Sequence, residues 1–421
     1  MMMTVQTDRS LVRDSGDSTR YALTSMVAPR AARSHSRAPV NVAFVLDRSG
    51  SMGGTKFELA RRAVDHALRL LRGDDRFSLV VYDEEVTIVA ESALATRDAC
   101  EDARARLASI HPRGSTNLCG GWLAGCEQVA RYIEAEGLGR CLLLTDGLAN
   151  HGITDQEEIV SHARELRRRG VVTSTFGVGA DFDERLLQQM ADAGAGHFYF
   201  IERAEQIPDL LASELGETLE VVASGVTLSI ATPKGLHAEV LNQFPSTREP
   251  GLVTVQIGDL VSGQELSLVT RLEFPSGQKG DRLAATFRVH ATGAQAPVES
   301  VEQVWTLASH AACDAQPRNQ AVDEAVGQVY AARAQAEAVE LNRVGDYAAA
   351  DALLKRVGNK IGRYAGQSPV LARAIVELQR AASLTSSPMD ALALKGMHFR
   401  VGSALRSRTA EGKARRRPDG A

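Results

Sequence analysis

Eight consecutive residues, VNVAFVLD (40–47), are apolar almost without interruption and end in an acid. A strand that is apolar on both faces must be covered on both faces, which is the situation of a strand inside a parallel sheet. The next 170 or so residues keep to that plan. KFELARRAVDHALRLL (56–71) spaces its apolar residues as a helix does, and FSLVVYD and EVTIVAE are strands split by the acidic turn Asp83-Glu84-Glu85, short enough for an antiparallel hairpin. Helical stretches at 97–109 and 117–133 precede the strand CLLLTD (141–146). Helix 155–169, strand 171–179, helix 183–193, strand 197–201 and helix 203–219 complete the series. Such alternation predicts an α/β domain over residues 40–220: a mostly parallel sheet with helices on both faces.

The remainder of the chain changes character. Residues 1–19 are polar and aperiodic and read as a mobile lead-in; YALTSMVA (21–28) is a strand candidate, followed by a linker to residue 39. Between 221 and 315, VTLSIA, LVTVQIGDL, ELSLVTRLEF, RLAATFRVHA and VEQVWTLA alternate with Pro/Gly/Ser turns, as in an antiparallel, sandwich-like β domain. Residues 316–406 are Ala-rich and helical, with a turn at Gly345-Asp346 and a helix start at Ser387-Pro388. The helical hairpin around GDY is similar to one tetratricopeptide unit, but no second copy occurs at a 34-residue period. Residues 407–421 are expected to be a basic, disordered tail.

Composition excludes several classes. With 44% hydrophobic residues in 421, the chain can bury a sizeable core and is not disordered as a whole. A net charge of −4 gives no whole-chain affinity for nucleic acid. Five cysteines at irregular spacing do not form a disulfide framework, and no apolar run reaches the ~18–20 residues of a membrane span. The N-terminus lacks an apolar signal segment, so a reduced, cytoplasmic location is expected.

Three polar clusters fall at equivalent places in the α/β pattern. Asp47-Arg48-Ser49-Gly50-Ser51 ends the first strand, Gly114-Ser115-Thr116-Asn117 precedes a helix, and Thr145-Asp146-Gly147 ends another buried strand. In an open parallel sheet, ligands sit beyond the carboxyl ends of the strands, so all three loops are expected at one edge. The converging side chains are Asp47, Ser49, Ser51, Thr116 and Asp146. All offer hard oxygen and none offers sulfur or imidazole, which selects Mg²⁺, Mn²⁺ or Ca²⁺ over zinc or copper. Only two carboxylates balance the divalent charge. The ion therefore stays electrophilic and favours a further anionic ligand, such as a carboxylate of another protein.

The residues DRSGS, Thr116 within GST, and TDG, with the strand–helix order around them, resemble the metal-ion-dependent adhesion site of von Willebrand factor type A domains. The resemblance covers residues 40–220, and all five motif positions match. TDGLANHGITD, FGVGADFDERLL and GAGHFYFI are similar to bacterial members. The resemblance implies a Rossmann-like, doubly wound domain in which Ser49, Ser51 and Thr116 hold a divalent ion, Mg²⁺ first, directly. Asp47 and Asp146 then act through water, and a protein partner supplies a Glu or Asp. In some bacterial relatives a strand before the domain pairs with strands after it, so residues 21–28 are expected to join the β domain.

Other readings of the same residues meet obstacles. SGSMG (49–53) lies one residue from a G-x-S-x-G nucleophile elbow, but a hydrolase using Ser51 needs a placed histidine, and nothing in the sequence pairs His151 or His197 with an orienting acid. GSMGGTKF fails as a phosphate loop because Thr55 and Phe57 stand at required positions. Cys119 and Cys126, on one helix face with Cα atoms ~10 Å apart, are too distant for a disulfide and read as core residues. Asp83-Glu84-Glu85 reads as a solvated hairpin tip, and His111 and His151 as loop histidines beside the edge. The alternative to a binding site is a metal-assisted hydrolase using the same five residues, which needs a base that reaches a metal-bound water, and no sequence feature nominates one. A metal that merely stabilises the loops is a third possibility. The sequence leaves the oligomeric state open.

Overall fold

The computed structural model describes residues 1–31, 38–133, 138–292 and 299–416. Two compact units emerge: residues 32–221 form one, and residues 1–31 with 222–421 form the other, so the first is inserted in the chain of the second.

The chain opens with three strands, β1 (Met2–Thr7), β2 (Leu11–Arg13) and β3 (Ser18–Val27). The mobile lead-in expected at 1–19 is therefore corrected. Met3 and Val12 point inward while Met2 stays half exposed. This is a two-residue period carried by too few apolar side chains to stand out among polar neighbours.

The inserted unit runs β4 (Val40–Asp47), α1 (Thr55–Leu70), β5 (Arg76–Tyr82), β6 (Val86–Leu94), α2 (Arg97–Ala108), α3 (Leu118–Ala130) and β7 (Leu138–Thr145). It continues through α4 (Gln156–Arg168), β8 (Val171–Val178), α5 (Glu184–Ala193), β9 (Ala195–Ile201) and α6 (Ile207–Leu219). The sheet order is β6-β5-β4-β7-β8-β9, parallel throughout except for β6. Chain order thus runs outward from β4 in one direction and then restarts at β7 in the other. The reversal between β4 and β7 opens a crevice beyond their carboxyl ends, where ligands bind in doubly wound sheets.

Strand β4 is buried at every position, as its unbroken apolar run requires. The two faces of the sheet separate cleanly along β8. Thr173 accepts the Trp122 indole N–H of α3 at 3.1 Å and Thr175 donates to Leu187 O of α5 at 2.8 Å. Between them, Ser174 donates to Glu214 of α6 at 2.5 Å, on the opposite face. Helix α3 lies unusually close to β4. A Cβ on Gly125 would stand 2.2 Å from Val45 Cγ2, so glycine is what permits the approach. Thr96, Asn117, Asp155 and Asp183 cap α2, α3, α4 and α5 with side-chain oxygens.

The flanking unit continues with β10 (Val221–Ala231), β11 (His237–Val240), β12 (Ser246–Glu249), β13 (Leu252–Val261), β14 (Glu265–Phe274), β15 (Arg282–Thr292) and β16 (Glu299–Ala308). Helices α7 (His310–Ala315), α8 (Gln320–Arg343), α9 (Tyr347–Gly362), α10 (Pro369–Thr385) and α11 (Ala391–Leu405) come next. Two sheets, β1-β3-β14-β11 and β12-β13-β10-β15-β16-β2, enclose a core that includes Met26, Leu268, Leu228, Phe287 and Trp305. β3 pairs with β14 along its whole length, from Ser18 opposite Phe274 to Val27 opposite Glu265. Alternate residues of these strands, Leu23 and Val269, belong instead to the core of α8–α11. Strands and helices therefore share one sheet and form a single compact unit.

Residues 407–416 differ from the disordered tail expected there. Ser407 Oγ donates to Ser267 O at 2.7 Å, Glu265 N donates to Arg415 O at 2.8 Å, and Arg408 is buried with its guanidinium on Gly412 O. The arginines expected in a solvated run are partly backbone-binding groups. Residues 417–421 of that expected tail lie outside the described residues.

Candidate metal centre

The site is assembled at the β4/β7 reversal by hydrogen bonds between loops. Gly50 N donates to Gly114 O at 3.2 Å and Arg113 N to Arg48 O at 2.7 Å, joining the loop after β4 to the loop before α3. Thr116 N donates to Asn150 Oδ1 at 3.0 Å and Asn150 N to Thr116 O at 3.3 Å, joining that loop to the one after β7. The three polar clusters of the sequence thus meet.

Asp47 closes β4 and is fully buried. Its carboxylate accepts Ser49 N at 2.7 Å and Thr145 Oγ1 at 2.6 Å. Burial raises its pKa to about 6 against the opposing hydrogen bonds from Ser49 and Thr145, with Asp146 adding to the rise. Ser49 is buried and its Oγ lies 3.1 Å from Ser51 Oγ. Ser51 in turn donates to Asp146 Oδ1 at 2.6 Å. Asp146 is fully buried, and its second oxygen accepts Lys56 Nζ at 2.5 Å. Thr116 is buried beside Gly147, where a Cβ would stand 3.1 Å from Thr116 Oγ1. All five residues singled out in the sequence are therefore at one place: two inaccessible carboxylates and three hydroxyls. Hard oxygen donors in this number could hold an octahedral cation that keeps some water.

Four further residues shape the site. Thr145 fixes Asp47, Asn150 fixes Thr116, and Lys56 sits in the first turn of α1 with its ammonium on Asp146. The fourth is Asp83. Expected in a solvated tip, it is fully buried, with Arg48 Nε at 3.1 Å, Arg113 Nε at 2.8 Å and Glu85 N at 2.7 Å. Burial alone would raise its pKa, but the Glu85 N–H and the two guanidiniums hold it below the ordinary carboxylate value. Glu84 and Glu85 remain exposed. A lysine after a Gly-rich turn is the only sequence signal for Lys56, and that signal points towards a phosphate loop, not towards a carboxylate partner.

His197 corrects a second expectation. Its Nδ1 lies 3.0 Å from Glu214 Oε2, so an orienting acid is present. Glu214 also accepts Ser174 Oγ at 2.5 Å and Tyr199 OH at 2.6 Å, which ties α6 to β8 and β9. By register, Phe198 is level with Val45 through β8 and β7, so His197 lies three positions short of Asp47. It is also three strands away, roughly 14 Å laterally. His111 and His151 are exposed. Cys119 and Cys126 are buried, and burial pushes the Cys119 thiol up to about 11, as fits core residues.

Among the described residues no helix is long and apolar enough to cross a membrane. Residues 41–213 match the family model of the von Willebrand factor type A domain. The uncharacterised protein YfbK of Escherichia coli is 29% identical over 246 residues, 57% of this chain and 42% of that protein, so the chain spans less than half the length of this relative. A solved von Willebrand factor type A protein from Catenulispora acidiphila superposes with a TM-score of 0.73 at 18% identity, covering 99% of this chain and 97% of that one. The ArnB paralog VWA2 from Sulfolobus acidocaldarius gives 0.62 at 15% identity, covering 96% and 98%. Both similarities extend over the flanking unit as well as the inserted one.

Proposed function

Residues 41–213 are a von Willebrand factor type A domain, and on that footing we propose that the chain binds a protein partner through a divalent cation to which the partner contributes a Glu or Asp carboxylate. Ser49, Ser51 and Thr116 would hold the cation directly, and Asp47 and Asp146 through water. Mg²⁺ is the first choice, with Mn²⁺ and Ca²⁺ compatible with the same oxygens. When bound, the cation supplies an electrophilic centre for a carboxylate. The chain's own residues do the rest. Thr145 and the Ser49 N–H hold Asp47 in one orientation, and Asn150 does the same for the Thr116 backbone.

One observation carries this reading: two fully buried carboxylates, Asp47 and Asp146, stand with three hydroxyls at the topological reversal of the sheet. Buried carboxylates are costly unless paired or bound to a metal. A hydrolase using Ser51 gains nothing from the His197–Glu214 pair, which is three strands away. We therefore read the site as one of adhesion and not of catalysis.

The test is capture of partners from lysate with Mg²⁺, with chelator, and with the Asp47→Ala and Ser49→Ala variants. The reading expects partners that appear only with Mg²⁺ and the unaltered site. Recovery of the same partners under all four conditions would overturn it.

A further inference from the structure

Lys56 is the second residue of α1, and its ammonium lies 2.5 Å from Asp146 Oδ2 and 3.3 Å from Ser51 O. With Ser51 Oγ on Oδ1, both oxygens of a fully buried carboxylate are taken by groups from one short segment. The first turn of a helix is an unfavourable place for a cation, because the helix N-terminus carries positive partial charge. Helix electrostatics therefore do not hold Lys56 there; Asp146 does.

The lysine side chain keeps 29% of its surface exposed while Asp146 has none. A flexible four-carbon stem with an exposed flank can swing outward to water, whereas a buried carboxylate cannot follow it.

We propose that Lys56 is a tethered counter-cation of the metal site: it neutralises Asp146 in the metal-free protein, and a divalent ion must displace it to bind. This rests on the metal-site reading above and adds to it a regulation of the same site. Lys56 then does two opposing things. It stabilises the metal-free loops by pairing a carboxylate that would otherwise be buried beside Asp47 without a counter-charge. It also lowers apparent metal affinity, because only the fraction of molecules with the ammonium displaced is competent to bind. If the closed pair is populated at about nine in ten, the reduction is on the order of tenfold.

The experiment is calorimetric titration of Mg²⁺ and of Mn²⁺ into chelator-stripped protein, comparing the natural chain with Lys56→Met, Lys56→Gln and Lys56→Arg. Thermal melting in chelator is recorded for each. The neutral variants are expected to bind either metal on the order of tenfold more tightly and to melt lower without metal, while Lys56→Arg stays near the natural chain. Equal or weaker binding by both neutral variants overturns the displacement and leaves the metal site standing. Absence of binding in every protein, the natural chain included, overturns the metal-site reading and this inference together. A second measurement needs no variant: reductive methylation of the natural protein, read by mass spectrometry at Lys56. Modification is expected to speed up when saturating Mg²⁺ is added. An unchanged rate at saturation contradicts displacement.

Discussion

Thr145 donates its hydroxyl to Asp47 at 2.6 Å, joining the last residues of β7 and β4, the two strands at which the chain order of the sheet reverses. Both residues are fully buried. The bond closes the floor of the crevice and fixes one oxygen of the carboxylate, while the Ser49 N–H fixes the other.

Replacing Thr145 by Val keeps the shape and removes the donor. A hydrogen bond to a charged group contributes about 1.5–3 kcal/mol, and urea unfolding of Thr145→Val is expected to show a loss in that range. Metal affinity is expected to fall with it, because Asp47 is no longer held. A variant as stable as the natural chain would mean that the bond contributes little.

Gly147 tests the closeness of Thr116 to the strand end. A Cβ placed there would sit 3.1 Å from Thr116 Oγ1, so Gly147→Ala is expected to shift the hydroxyl by a few tenths of an ångström. The fold should persist, with circular dichroism unchanged, while Mg²⁺ affinity drops several-fold. Unaltered affinity would remove Thr116 from the ligand set.

Asp83 sets an acid limit on stability. The folded protein holds its carboxyl below the ordinary value of 3.8, so its contribution is complete above that pH and is lost as pH falls through the lower folded value. Melts of the natural chain and Asp83→Asn between pH 3 and 7 should differ most at the neutral end and converge in acid. Curves that stay parallel across the range would show that the Arg48 and Arg113 pairing does not stabilise the fold.

Residues 407–416 are expected to contribute measurably to the flanking unit. Ser407 and Arg408 are buried, and the segment bonds to Ser267 and Glu265 of β14. Truncation after Arg406 should lower the midpoint of the flanking unit's denaturant transition, with a loss of about 2–3 kcal/mol for two to three hydrogen bonds made by the Ser407 hydroxyl and the Arg415 carbonyl. A true disordered tail would leave the midpoint where it was.

The strand–helix alternation of residues 40–220 is legible in the sequence because each element carries a strong local signal: an unbroken apolar strand, a helical period, a capping residue. The five oxygen donors are legible for a related reason, since they occupy the ends of those elements. Lys56, Asp83 and the His197–Glu214 pair are not. Their roles depend on partners 90, 35 and 17 residues away, and nothing local in GTKF, DEE or GHFYF announces them. Strand β3 is legible in YALTSMVA and joins the β domain as expected. Strands β1 and β2 and residues 407–416 escape a sequence reading because their order comes from backbone pairing with β3, β16 and β14. Backbone pairing leaves little mark on residue type.

The central claim is that Asp47, Ser49, Ser51, Thr116 and Asp146 jointly hold one divalent cation. Counting bound Mn²⁺ by electron paramagnetic resonance, in the natural chain and in Ser49→Ala, Thr116→Ala and Asp146→Ala, tests it most directly. One Mn²⁺ per chain in the natural protein, weakened severely or lost in each variant, is the predicted result. No bound Mn²⁺ in the natural chain, or an affinity and stoichiometry that all three variants leave unchanged, would contradict it.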